Sequence, residues 1–197
     1  MQTVIARCDG LASQPTPPTL RQLAELLAAV ELSGEALREA QRPDPRRPYG
    51  RRVFLDTPVM EGMLATWTPG AWCAPHDHGG SVGGVRVLQG RARHRVFCVR
   101  DGGLALLREE QIEAGAVISC GPSLVHAMRC DGGDAGLVTL HLYAGPIPWM
   151  TVYDVEGQET LQVSGGCGAW IPHDQPELIR ARAPGLVPPQ AFPSDAT

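Results

Sequence analysis

The chain is expected to fold as an all-β sandwich or barrel preceded by one or two helices. Three observations predict this. From residue 49 onward, short runs rich in β-branched and aromatic residues recur at intervals of about ten residues, separated by glycine-containing turns. No alternation of strand and helix, the mark of a parallel sheet, interrupts them. A helical apolar period occurs only ahead of the proline cluster "RPDPRRP".

Taken in order, residues 1–15 combine Ser, Gln, Pro and Thr without periodicity and are expected to be disordered. "TLRQLAELLAAVELS" then reads as a helix. Thr19 and Gln22 form a capping box, and Leu20, Leu23, Leu27 and Val30 make one apolar stripe. "SGEALREAQ" gives a second short helix capped by Ser33. The three prolines of "RPDPRRP" end helical structure, because proline fixes φ and lacks a donor. The strand runs follow: "RRVFL", "GMLATW", "GGVRVLQ", "RHRVFCV", "LALLR", "AVISC", "SLVHAM", "GLVTLHLYA", "MTVYDV" and "ETLQV". The closing "ARAPGLVPPQAFPSDAT" is Pro-rich and is expected to wrap the surface or fray. The chain thus divides into residues 1–48, a tail and helices packing on the barrel, the barrel at 49–180, and a C-terminal tail at 181–197, all within one domain.

Composition excludes several functions. A net charge of −4 with scattered arginines leaves no basic footprint for nucleic acid. No run approaches the roughly 18 apolar residues of a membrane span, and the N-terminus has no cationic start before an apolar core. The six cysteines form no C-x-x-C pair and read as reduced thiols, so a cytoplasmic protein is expected. A monomer is favoured.

The chemistry begins at "PHDHGG". His76 and His78 are two residues apart, so on an extended chain both imidazoles share a face. Neutral imidazole is the commonest metal ligand. A firm site needs a third donor, and His126, in a strand-like run after the turn "CGPS", is the best candidate. His94, flanked by Arg93 and Arg95 on what reads as an exposed hairpin, is weaker, and His173 lies near the tail. "TLHLYAG" puts Thr139, His141 and Tyr143 on one strand face, with Leu140 and Leu142 on the other. That row reads as a polar solvent face or, beside a histidine site, as a hydrogen-bond relay in which a protonated tyrosine can donate.

The glycine, histidine and turn spacings over about residues 49–155 resemble the two motifs of the cupins. Gly70 lies six positions before His76, and Gly115 eleven before His126. The resemblance implies a double-stranded β-helix, or jelly-roll, barrel. Where cupins commonly place an acidic ligand, this chain has Gly83. Three neutral ligands leave a divalent metal its full charge and open positions, which suits an anionic thiolate.

"HDHGGSVG", "VLQG", "VHAM" and "TLHLYAGP" together resemble the cysteine dioxygenases, and "MTVYD" and "CGAWIP" resemble segments of bacterial members. The resemblance implies an iron(II) enzyme that adds both atoms of O2 to the sulfur of L-cysteine, giving cysteine sulfinate. It implies iron ligands His76, His78 and His126, and an active-site Tyr143 with His141 and Thr139 as its relay. A Tyr-x-Arg pattern, "YGR", implies Arg51 as the carboxylate binder, with Arg52 as the competing candidate, since adjacent strand residues face opposite ways. Cysteine is then expected to bind through sulfur and amine. Animal members carry a cysteine that crosslinks to the tyrosine at the position of Gly83, so Tyr143 is expected to remain a free phenol. Relatives acting on 3-mercaptopropionate tend to have glutamine in place of the arginine, so Arg51 favours an amino acid. A dioxygenase for that or another small thiol, and a non-catalytic ligand- or metal-binding cupin, are the alternatives. Trp67 and Trp72 flank the site in sequence and read as pocket wall or core.

Overall fold

Two layers of antiparallel strands enclose a mostly apolar interior. The computed structural model describes residues 2–100, 103–132 and 136–188. Helices α1 (Gln2–Ala12), α2 (Leu20–Ala29) and α3 (Gly34–Ala40) precede eleven strands. These are β1 (Tyr49–Thr57), β2 (Met60–Trp67), β3 (Gly83–Gln89), β4 (Arg91–Arg100), β5 (Gly103–Glu113), β6 (Val117–Cys120), β7 (Val125–Cys130), β8 (Leu137–Ala144), β9 (Trp149–Asp154), β10 (Glu159–Ser164) and β11 (Ile179–Pro184). The expected strand runs all fall within β1 to β10 or overlap them.

One layer is a five-stranded sheet in the order β1-β2-β8-β3-β6. The other consists of two three-stranded sheets, β5-β4-β7 and β11-β10-β9. The extended segment around His76 stitches these together. The His76 amide donates to the His126 carbonyl on β7 at 2.9 Å, and the His126 amide donates back at 3.0 Å. On the other side, the Tyr153 amide donates to the Pro75 carbonyl (2.9 Å) and the Asp77 amide to the Thr151 carbonyl (3.0 Å), both on β9. The histidine segment therefore acts as a strand between β7 and β9. The sheets do not close into a continuous barrel, but the arrangement is the jelly roll expected of a cupin.

Strand β8 is buried on both faces. Its inward residues look into the space between the layers. Its outward residues Val138, Leu140 and Leu142 join Leu23 and Leu27 of α2 and Leu37 of α3 in a second apolar cluster. The capping box of α2 is present, with the Thr19 hydroxyl accepting from the Gln22 amide (3.3 Å) and the Thr19 amide donating to the Gln22 side chain (2.9 Å). The other end of α2 is held from the sheet. Nη1 of Arg86, on β3, donates to the carbonyls of Leu27 (2.6 Å), Ala28 (2.8 Å) and Val30 (2.6 Å). These carbonyls lie at the helix end, where Leu27 also accepts from the capping Val30 amide (3.3 Å), and a cation there suits the helix dipole.

Two expectations need correcting. The N-terminal residues expected to be disordered include α1, which is ordered because Val4 and Cys8, four apart, bury one face in the helix–sheet cluster. The head of the Pro-rich tail is β11, paired with β10, and its Pro184 ends an edge strand where no ladder donor is needed. The Val187 amide beyond it donates to the Thr160 hydroxyl at 2.9 Å. Residues 189–197 of that tail lie outside the described residues.

Candidate metal centre

Ring nitrogens of His76, His78 and His126 lie within 4.8 Å of one another, and all three residues are buried. Among the described residues, no carboxylate belongs to this cluster. Burial is the main reason these imidazoles stay neutral: His76 is pushed down to about 4, and His78 and His126 well below the ordinary imidazole value. Neutral imidazole is the ligand form.

The chain fixes the segment that carries His76 and His78 and anchors two of the three rings, while His78 Nδ1 is buried without a partner. The residue between the first two histidines, Asp77, points the other way, and its Oδ1 accepts from the amides of Gly79 (3.0 Å) and Thr151 (2.8 Å). This pins the His-x-His segment to β9. Gly79 follows with φ of 60°, where a Cβ would strike the Trp149 carbonyl oxygen, so the turn after His78 requires glycine. His76 Nδ1 faces the Ala74 carbonyl at 3.0 Å, and His126 Nδ1 faces His94 Nε2 at 2.9 Å. In both rings Nδ1 is engaged, leaving Nε2 as the atom to bind an ion.

The donor set fits a divalent metal. His126 Nε2 and His78 Nε2 stand 3.3 Å apart. Two nitrogens each about 2.1 Å from a shared ion lie roughly 3.0–3.4 Å apart. His94 is not on an exposed hairpin, as its flanking arginines suggested. It is fully buried, and Glu110 Oε1 lies 3.1 Å from its Nδ1. Arg93 and Arg95 alternate to the other face, where they meet Asp131 and Glu109. His173 is exposed and stands apart from the cluster.

The inward row of β8 adjoins the cluster. Rings of Tyr143 and His78 are 5.0 Å apart. Tyr143 Oη lies 3.2 Å from His141 Nδ1, and His141 Nε2 lies 2.8 Å from the Thr139 hydroxyl. The row is buried, so the solvent-face alternative is excluded. Trp67, from β2, extends it: its indole N–H donates to Thr139 Oγ1 at 2.8 Å. Indole can only donate, so the Thr139 hydrogen is free for His141 Nε2. If it is donated there, His141 carries its proton on Nδ1 and donates to Tyr143 Oη, leaving the phenol hydrogen to point into the pocket. Burial lowers His141 to about 3 and raises Tyr143 well above its ordinary value, so both stay neutral.

Gly83 lies directly opposite Tyr143 in the register of β3 and β8. A Cβ at 83 would press into the Tyr143 ring, with Cε1 at 2.8 Å and Cδ1 closer. The tyrosine fills the space that a side chain at 83 would need.

Arg51 and Arg52 diverge as adjacent strand residues must. Arg51 lines the same pocket as the histidines, whereas Arg52 points to the Glu39 carbonyl beside α3 (3.4 Å). Arg51 Nη1 donates to the carbonyls of Gly165 (3.1 Å), Gly166 (3.1 Å) and Cys167 (2.7 Å). Its Nε is buried without a hydrogen-bond partner. Glu61 is a pocket residue that sequence reasoning missed. Its Oε1 lies 3.8 Å from Arg51 Nη2, and burial raises its carboxyl. The signal was present: Glu61 shares the parity of Trp67 on β2, and it sits opposite Tyr143. Tyr49 and Trp67 wall the pocket, while Trp72 lies away from it, stacked under Arg95 at 4.2 Å.

A jelly roll with an inward cluster of imidazoles defines a cupin with a candidate metal centre. The sequence pattern of the family described as cysteine dioxygenase type I matches residues 20–156. The chain belongs to the cysteine dioxygenase type I family, and so to the metal-dependent cupin dioxygenases. Among solved structures, oxalate oxidase in complex with the substrate analogue glycolate is similar at a TM-score of 0.51 and 16% identity, over 66% of this chain and 68% of that one. A second oxalate oxidase structure gives 0.50 and 17% over the same shares. A Klebsiella pneumoniae protein with a double-stranded β-helix domain gives 0.48 and 19%, over 63% of this chain and 99% of its own. At these identities the likeness to the two oxalate oxidase structures concerns the fold alone. No helix among the described residues is long and apolar enough to cross a membrane.

Proposed function

We propose that the chain is an iron(II)-dependent cysteine dioxygenase, converting L-cysteine and O2 to cysteine sulfinate. The observation that carries this reading is the meeting of three neutral imidazoles, without a carboxylate among the described residues, with the hydrogen-bonded row Trp67–Thr139–His141–Tyr143. His76, His78 and His126 would hold the iron. When bound, iron(II) supplies the redox chemistry that brings O2 to the thiolate. The residues do the rest. Arg51, with its unpartnered Nε and the neighbouring Nη2 that faces Glu61, would take the substrate carboxylate in two parallel hydrogen bonds, which orients the sulfur. Glu61 beside it accepts from an amine N–H. A guanidinium and a carboxylate side by side suit an amino-acid thiol better than a thiol bearing only a carboxylate. Tyr143 directs its phenol hydrogen at the reacting oxygen or the substrate carboxylate, and His141 and Thr139 fix that direction. Tyr49, Trp67 and Met63 keep the pocket apolar. Six unpaired thiols support a reducing, cytoplasmic setting.

The test is anaerobic purification, metal analysis and an oxygen-electrode trace with L-cysteine or 3-mercaptopropionate. Cysteine-dependent oxygen uptake with one sulfinate formed per O2 is expected. Faster turnover of 3-mercaptopropionate refutes the substrate, and metal binding without uptake with either thiol refutes the enzyme. Retention of iron by His126→Ala refutes the three-histidine centre.

A further inference from the structure

One ligand of the candidate centre is tied to a carboxylate two side chains away. His126 is on β7, His94 on the neighbouring β4, and Glu110 opposite His94 on β5. His126 Nδ1 lies 2.9 Å from His94 Nε2, and His94 Nδ1 lies 3.1 Å from Glu110 Oε1. His94 is fully buried, whereas the Glu110 side chain is 36% exposed and also meets Arg108 Nε at 3.1 Å. The polarity of this row follows from one choice. If His126 uses Nε2, the atom facing His78, as its metal-binding lone pair, its proton is on Nδ1. That proton is donated to His94 Nε2, which places the His94 proton on Nδ1, where Glu110 accepts it. Each nitrogen then has one role and each hydrogen one acceptor.

We propose that Glu110 and His94 are positioning residues for the metal ligand His126: a carboxylate–imidazole–imidazole row that fixes its tautomer and makes it a stronger electron donor. This rests on the three-histidine reading above. Carboxylates hydrogen-bonded to the far nitrogen of a ligand histidine orient the ring and raise its basicity. Here His94 relays that influence from the half-exposed end of β5. The negative charge missing from the metal's own ligand set is supplied along the row. It favours a divalent ion over none and the oxidised ion over the reduced one.

Glu110→Gln keeps the shape, removes the charge and perturbs a partly exposed site. Fe(II) affinity is measured anaerobically against a competing chelator, and the Fe(III)/Fe(II) potential by redox titration. Glu110→Gln should weaken Fe(II) binding by about 10-fold, the low end for partners beyond the ligands, and raise the potential. Glu110→Asp should restore part of both. Affinity within two-fold of the parent, or a loss of affinity with no change of potential, overturns the row while leaving the metal centre standing. A parent protein that binds no Fe(II) overturns both.

Discussion

Replacing Gly83 by alanine adds one methyl group and should disable Tyr143. The new carbon would sit 2.8 Å from Cε1 of the ring, nearer still to Cδ1, and 2.7 Å from the Leu142 carbonyl oxygen. Carbon atoms pack at about 3.5–4.0 Å, so the ring must retreat by roughly 1 Å. The Tyr143–His141 contact, at 3.2 Å, is already at the long end of a hydrogen bond and does not survive that displacement. Overpacking of this kind costs about 1–3 kcal/mol. For a chain of this size that lowers Tm by roughly 2–12 °C. A 1 Å misplacement of a positioned group costs on the order of 100-fold in rate. Calorimetry, metal content and cysteine-dependent oxygen uptake on Gly83→Ala give the answer. Metal content should hold while uptake falls about 100-fold. A variant with the parent's Tm and uptake within two-fold would show that Tyr143 has room to spare and that its position does not matter.

Trp67→Phe removes the donor that orders the β8 row. It should lower kcat about 10-fold with little change in KM, and 15N spectra of His141 should show mixed tautomers; a single unchanged tautomer contradicts the assigned direction. Metal-free protein should lose stability on acidification. His76 titrates at about 4 in the fold against about 6.5 when unfolded, so the unfolded chain takes up the proton first. That stabilisation is complete above pH 6.5 and falls by about 3 kcal/mol as the pH drops to 4; urea midpoints flat across this window contradict it. Arg51→Lys keeps the charge but loses the planar fork, so KM for cysteine should rise about 10-fold or more. Arg52→Ala should leave kinetics unchanged, because Arg52 faces α3.

Much of the site was legible because its residues lie in strands with the period of two. His76 and His78, and Thr139, His141 and Tyr143, announce a shared face by spacing alone, and the structure brings them together. What parity does not give is which strand lies beside which. Trp67 and Glu61 are inward residues of β2, but their meeting with Thr139 and Tyr143 depends on a pairing across more than seventy residues. His94 was misjudged for a related reason: charged neighbours on both sides suggest solvent, yet on a strand they face the opposite way. The helix at the N-terminus was hidden by its small apolar face, in which Cys8 takes the part of an aliphatic residue. The strand β11 was hidden by its terminal Pro184 and the Pro-rich run that follows it in the sequence.

The alternation along β8 constrains how this protein can change. Odd-numbered positions 139, 141 and 143 serve the pocket, and even-numbered 138, 140 and 142 anchor the helices. Inserting or deleting a single residue here would exchange the two sets, burying leucines against the imidazoles and driving the histidine into the helical layer. Length variation in this strand is therefore tolerable only in twos, and drift must be confined to substitutions that respect each side's chemistry.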